Sequence, residues 1–312
     1  MLLYSQLPKS LQSLIILHIW RSRTAGAFLY FLRGANIFNM NTLLTAVIIG
    51  AGLFFTYRWN IFAGLALSVF LLVYGVYHFM PQIYRSRGAK CFGEADYAGA
   101  KKWYGKAVET GRAKVDIKIE YSYVLLRTGD VDAAEQIVDN MLCYKLKPQY
   151  KGRAVIQRCM CYYKKGNIDE AIADAEELYN DGFKNTMLYG MLGFFKLVKA
   201  PKAQETFDFC TEAISFAPDD RDIMDNMLIC YYNRGEYDKA KEISDKVLEK
   251  QPKFVEAWYH GAQIDNKLKR YDDALEKLER INECNRSFMT TVSESEVENL
   301  RAEVTAKRKA RI

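Results

Sequence analysis

Small residues return at a nearly fixed interval along two thirds of this chain: Ala100, Ala134, Ala171, Thr206, Ala240 and Ala274, spaced 34 to 37 residues apart. A turn precedes each. It is clearest at Gly129-Asp130, Gly166-Asn167 and Gly235-Glu236, and weaker at Asp96-Tyr97, Pro201-Lys202 and Lys269-Arg270. A period near 34 with a turn in mid-unit predicts an array of helix–turn–helix modules, each too small to bury its apolar face alone. The recurring small residue belongs early in the second helix, where two helices packed 8–10 Å apart leave no room for a large side chain. Pro148, Pro218 and Pro252 fall at unit boundaries, where proline can open a helix but not continue one. The array is expected to occupy residues 81–288 in about six units.

The unit around Ala257, Trp258, Tyr259 and Ala262, followed by Tyr271-Asp272-Asp273-Ala274-Leu275, resembles the tetratricopeptide repeat family. So do the units carrying Gly129-Asp130-Val131-Asp132-Ala133-Ala134, Gly166-Asn167-Ile168-Asp169-Glu170-Ala171 and Gly235-Glu236-Tyr237-Asp238-Lys239-Ala240. The first unit and the fourth, with Pro201 and Thr206, depart furthest from the pattern. The resemblance implies an all-α, right-handed solenoid whose first helices line a concave groove for an extended or helical partner segment. On the helical spacing that groove is predicted to comprise Ile119, Tyr123 and Leu126; Ile156, Met160 and Tyr163; Met191 and Phe195; Asp225, Ile229 and Tyr232; and Tyr259, Gln263 and Asn266. A mode of the family that grips a terminal carboxylate with Lys and Asn is not carried over, because the matching positions here are mostly apolar.

Ahead of the array lie two uncharged apolar runs, 41–57 and 61–80, separated by Arg58-Trp59-Asn60. A hydrocarbon core of about 30 Å takes about 20 apolar residues, so residues 39–80 are predicted to form a transmembrane hairpin in contact with lipid. Tyr57, Trp59, Tyr74, Tyr77 and Tyr84 fall where interfacial aromatics belong. The small pairs Ala46/Gly50 and Gly64/Ser68 predict close approach of its two helices. With Lys9, Arg21, Arg23 and Arg33 before the hairpin and Arg85, Arg87, Lys90, Lys101 and Lys102 after it, both termini are expected in the cytoplasm. Seven scattered cysteines agree with a reducing compartment. A bacterial inner membrane is the expected setting.

Residues 1–38 are basic and apolar, and no acidic residue occurs before Glu94. They are read as a membrane-surface segment, the alternatives being an organelle transit peptide and an upstream extension before a start at Met40. Residues 289–312 are predicted to cap the array: Ser293 and Glu296 make a capping box, and Val297, Leu300 and Val304 form an apolar edge.

Signs of catalysis are missing. His18, His78 and His260 are scattered, Cys159 and Cys161 would point apart on a helix, and there is no glycine-rich phosphate loop. The chain is therefore expected to be no enzyme and to hold neither cofactor nor metal. Its net charge of +6 is modest, and the repeats lack a basic stripe with interleaved aromatics, so nucleic acid is not expected as a partner. The predicted function is a membrane-anchored adaptor that binds a protein or peptide through the concave face. The alternatives are a precursor receptor on an organelle membrane and an assembly or regulatory factor of a membrane enzyme.

Overall fold

The computed structural model describes residues 40–311, all helix and connecting turns. The chain divides into two compact units at His78/Phe79. Helices α1 (Met40–Trp59) and α2 (Ile61–Gly93) are joined at Asn60, whose side-chain oxygen accepts from the amides of Phe62 and Ala63. Ile61–Gly93 is long and apolar enough to cross a membrane, and it is the one described helix that meets this test. It also continues past Pro81 without a break, so the run expected to end at residue 80 and the leading helix of the first repeat form one element.

Within the first unit, among the described residues, the two helices approach closely at the Asn60 corner. The Tyr57 ring lies on Gly64, where a Cβ would sit 2.5 Å from it, and the Tyr57 hydroxyl is 3.0 Å from Ser68 Oγ. Gly50 faces open space, with nothing within 4 Å of its missing side chain. The expected close approach through Ala46 and Gly50 is thus not made among the described residues; Gly64 and Ser68, the other small pair, meet Tyr57. The flanks stay bare: Phe62 is 77% exposed and Leu72 68%.

The second unit holds the repeats. Six pairs follow one another: the end of α2 with α3 (Tyr97–Glu109), α4 (Val115–Thr128) with α5 (Val131–Leu142), and α6 (Pro148–Lys164) with α7 (Ile168–Asn180). Next come α8 (Thr186–Lys199) with α9 (Gln204–Phe216), α10 (Arg221–Asn233) with α11 (Tyr237–Glu249), and α12 (Val255–Lys267) with α13 (Tyr271–Arg280). A closing helix, α14 (Glu294–Arg311), packs on α13 and α12. From α4 onward, first helices contact first helices of the next repeat, and each second helix packs on the first helix that follows it.

Five of the six pairs share one turn. At Gly129 the amide of Asp130 bonds the Leu125 carbonyl at 2.9 Å and Gly129 bonds Leu126, a left-handed cap that closes the helix and reverses the chain. The same pair of bonds recurs at Gly166-Asn167, Gly235-Glu236, Ala95-Asp96 and Lys269-Arg270. Glycine takes the positive φ of such a cap without strain, whereas Ala95 and Lys269 adopt it at φ 60° and 61°. Ala100, Ala134, Ala171, Ala240 and Ala274 are fully buried just beyond these turns. The fourth pair turns differently, and there Thr206 has a specific use: its hydroxyl donates to the Ala200 carbonyl at 2.9 Å. Gly152 does the comparable job at a repeat interface, leaving room for the Phe183 ring to lie against α6.

Polar side chains tie successive repeats together. Arg85 pairs with Glu120 and, at 3.3 Å, with Asp116. Gln157 donates to the Ile119 carbonyl at 2.9 Å and Asn226 to the Gly190 carbonyl at 2.7 Å. Lys101 pairs with Asp130 at 2.7 Å. Arg85 and Lys101, two of the cations that follow the second apolar run, therefore also hold the first repeats together. In α14, Ser293 and Glu296 exchange hydrogen bonds, and Val297, Leu300 and Val304 are buried against Leu278 and Ile281. Two basic residues of α14 reach neighbouring elements, Arg301 donating to the Leu278 carbonyl and Arg311 to the Lys269 carbonyl, while Arg301 also pairs with Glu298 and Lys307 with Glu303 within the helix.

Candidate functional site

The inner face of the first helices encloses an open groove of about 730 Å³. Its floor is made of Ile119, Tyr123, Leu126, Ile156, Met160, Met191 and Ile229, with Asp225 on one wall. These eight come from the predicted set, and four consecutive repeats bring them together. Ile229 also borders a smaller cavity of about 170 Å³ with Tyr232 and Gln263.

The other four predicted residues lie elsewhere. Phe195 is completely buried in the cluster of Val155, Cys159, Leu188 and Leu192. Its neighbour Phe194 lines the groove instead. Tyr163 packs on both rings, at 5.2 and 5.5 Å between centroids. Tyr259 joins the core beneath α14, while the adjacent His260 faces the groove. Asn266 is buried and bonds Glu303 of α14 at 3.0 Å. Phe195 and Tyr259 are each one residue away from a groove position, because successive helical residues differ by about 100° and the inner stripe is narrow. Spacing alone does not separate the stripe from the repeat-packing face beside it.

Several lining residues gave no signal of their own in the sequence: Glu120, Gln157, Asp222, Phe254, Glu256 and Met289. Helical spacing on α10 and α12 could have found Asp222 and Glu256, which lie three and four residues from Asp225 and His260 on the same helices. Met289 is beyond the repeats, and no periodicity points to it.

The polar groups are unevenly distributed. Glu120 accepts from Arg85 Nε at 2.7 Å and from the Tyr104 hydroxyl at 3.1 Å. His260 Nδ1 donates to Asp225 at 3.0 Å. Burial disfavours the His260 imidazolium, but Asp225, Glu256 and Glu296 outweigh it and raise its pKa above the ordinary 6.5. Asp222 is open to the groove yet ringed by protein; desolvation, then Asp220 and Asp225, push its pKa up. Desolvation lowers that of Lys164, against the opposing pull of Glu256.

The Asp225–His260 pair joins α10 to α12 and makes stability depend on pH. A raised folded pKa means the contribution is complete below about pH 6.5 and is lost as pH rises through the higher folded value. Melting temperature recorded from pH 5.5 to 8.5 is expected to fall across that window more steeply for the native chain than for His260→Gln. Parallel curves would refute the assignment.

Among the described residues no group of three or more His, Cys, Asp or Glu is placed to hold a metal. Cys159 and Cys161 face different clusters, and burial raises both thiols, that of Cys161 to about 12. Neither is poised as a nucleophile at neutral pH.

No family model matches the chain, and no curated protein matches it. Solved structures do. A thermophilic TPR protein of Thermus thermophilus is similar at 16% identity, over 62% of this chain and 100% of that one, with a TM-score of 0.49. YrrB, described as a TPR protein with an unusual peptide-binding site, is similar at 19% identity over 67% and 97% of the two chains, with a TM-score of 0.39. The TPR2AB domain of yeast Sti1, in a complex with pHSP90, is similar at 17% identity over 72% and 98%, with a TM-score of 0.34. The chain is similar to tetratricopeptide-repeat structures, and the likeness is one of fold.

Proposed function

We propose that this chain is an adaptor: residues 39–80 anchor it in a bilayer, and the inner face of the repeats receives a segment of another protein. The observation that carries this reading is the groove itself. Elsewhere in the second unit most apolar side chains are buried between helices, and exposed ones such as Tyr144, Val198 and Phe216 stand outside the groove. Along the groove Met160, Phe194 and Ile229 stay partly open and Tyr123 and Met187 are exposed. Contiguous apolar surface of this kind marks an interaction site. The exposed apolar flanks of α1 and α2 favour a lipid surrounding, and the basic residues on either side of the two runs favour both ends of the chain in the cytoplasm, with a bacterial inner membrane as the proposed setting. Tethering raises the effective concentration of a weakly bound partner at the membrane without any new contact.

A photoreactive residue in place of Tyr123 or Met160, in intact cells, is expected to crosslink one protein reproducibly. The same residue at Lys239, on the outer helix α11, is expected to miss it. Met160→Glu with Ile229→Glu is expected to cut that capture by about thirtyfold, the loss of a hot spot of ~2 kcal/mol. Equal capture from groove and outer positions would sink the reading. Membrane anchoring is tested separately: removal of residues 1–80 is expected to release the protein from the membrane fraction.

A further inference from the structure

The segment between α13 and α14 folds inward across the groove. Asn285 bonds the Lys253 carbonyl at 2.9 Å, and Ser287 and Thr290 close a tight turn by exchanging bonds at 3.0 and 3.1 Å. Phe288 and Met289 are at its tip. The Phe288 ring lies on Gly129 of the second repeat, where a Cβ would be 3.1 Å away, and Lys164 Nζ is 5.1 Å from its centre. Met289 packs against the buried cluster of Leu125, Leu126, Ala134 and Cys161. On the way back, the amide and hydroxyl of Thr291 both donate to Glu256, at 2.7 and 3.1 Å, and Val292 enters the core of the last repeat.

The inner face therefore already holds a peptide, one supplied by the chain itself. Its composition is informative: residues 285–292 contain Phe288, Met289, Val292 and Arg286, whose Nη1 donates to the Val292 carbonyl at 2.9 Å within the segment, and no acid. The surface left open beside it has a matching character. Of the four carboxylates that line the groove, Glu120 is paired with Arg85 and Asp225 with His260. Asp222 and Glu256 have no ion pair among the described residues; Thr291 gives Glu256 only neutral donors. Arg153, on α6, is the cation that lines the groove without an ion pair among the described residues. The α10 and α12 side thus presents negative charge beside an apolar floor. An incoming carboxylate there meets like charge, whereas an ammonium or guanidinium is attracted in surroundings less screened than water.

We propose that the groove selects an acid-free apolar peptide segment bearing a lysine or arginine, with its apolar side chains on the floor of Ile156, Met160 and Ile229, its cation against Asp222 and Glu256, and residues 285–292 as the resident competitor. This rests on the adaptor reading and adds the chemistry of the partner. The competitor is tethered, so its effective concentration is of millimolar order, and a partner must out-compete it or share the channel with it.

The test uses the full-length chain in lipid nanodiscs, with empty nanodiscs as the blank, and fluorescence anisotropy of two labelled synthetic peptides. One copies residues 285–292; its twin has glutamate in place of the arginine. The arginine peptide is expected to bind about tenfold more tightly than its twin. Phe288→Ala with Met289→Ala, which loosens the competitor, is expected to raise affinity for the arginine peptide by a further order of magnitude, about the effect of weakening a tethered ligand. Asp222→Asn with Glu256→Gln, which keeps an acceptor for Thr291, is expected to bring the two peptides within about twofold of each other. Circular dichroism checks that the variants remain folded. Equal affinities, tighter binding of the glutamate twin, or a preference that survives in the neutralised groove would overturn the proposal. So would failure of both peptides to bind both the native and the loosened chain. That failure would leave crosslinking from Tyr123 and Met160 untouched, so the adaptor reading stands or falls separately.

Discussion

Asp265→Ala is expected to lower the stability of the repeat unit by about 3–5 kcal/mol, the usual result of removing one partner from a buried ion pair. Asp265, at the end of α12, is fully buried. Lys277 of α13 donates to its Oδ2, while Lys241 of α11 and Arg270 stand 3.8 and 3.9 Å from Oδ1. Lys241 and Lys277 are themselves nearly buried. Without the carboxylate, the nearly buried Lys277 ammonium loses its ion-pair partner, while Lys241 keeps Asp245 in its own helix. Denaturant unfolding, followed by helical circular dichroism, measures the loss. The double change Asp265→Leu with Lys277→Met should recover most of it, because an apolar pair of similar volume does not need the charge. A loss below about 1 kcal/mol for the single change would mean that the carboxylate is no more than a surface ion pair.

Phe195→Ala is expected to cost about 3–5 kcal/mol as well, the range for emptying an aromatic site in a closed core. Tyr123→Ala should stay within about 1 kcal/mol of the native chain. Phe195 is 0% exposed and Tyr123 40%. The two belong to one predicted groove, so their opposite behaviour separates packing from recognition. Tyr123→Ala should appear in partner capture and scarcely in the melting curve; Phe195→Ala should appear in the melting curve first. A small stability effect at Phe195 would place it on the open surface after all.

The repeat pairs were readable because their turn and their small residue obey local rules. Gly129, Gly166 and Gly235 mark a left-handed cap, and Ala100 through Ala274 mark the point where two helices touch. The departures at Ala95, Lys269 and Thr206 are readable only with the backbone in view. There the same cap is made without glycine, or a hydroxyl takes over the capping of Ala200. The groove was half readable. Its apolar floor follows helical spacing, but the choice between Phe194 and Phe195, or Tyr259 and His260, depends on how far each helix is rotated about its axis. That rotation is set by contacts between repeats, such as Asn226 with Gly190 and Gln157 with Ile119, which join residues about one repeat apart. Residues 285–292 were not readable at all. They form a short polar connection around two large side chains, and their destination, Gly129, is distant in sequence.

Stacked-repeat proteins ordinarily behave as a row of beads, each stabilised by the two beside it, and they can melt from either end. Phe288 on Gly129 turns this row into a buckled belt, with the tongue fixed to the last bead and the eyelet near the first. Fraying at one end must then release the other, which favours loss of the whole stack in one step. Assembly should be slowed correspondingly, since the buckle joins positions far apart in the chain and forms only after the beads between them are in place.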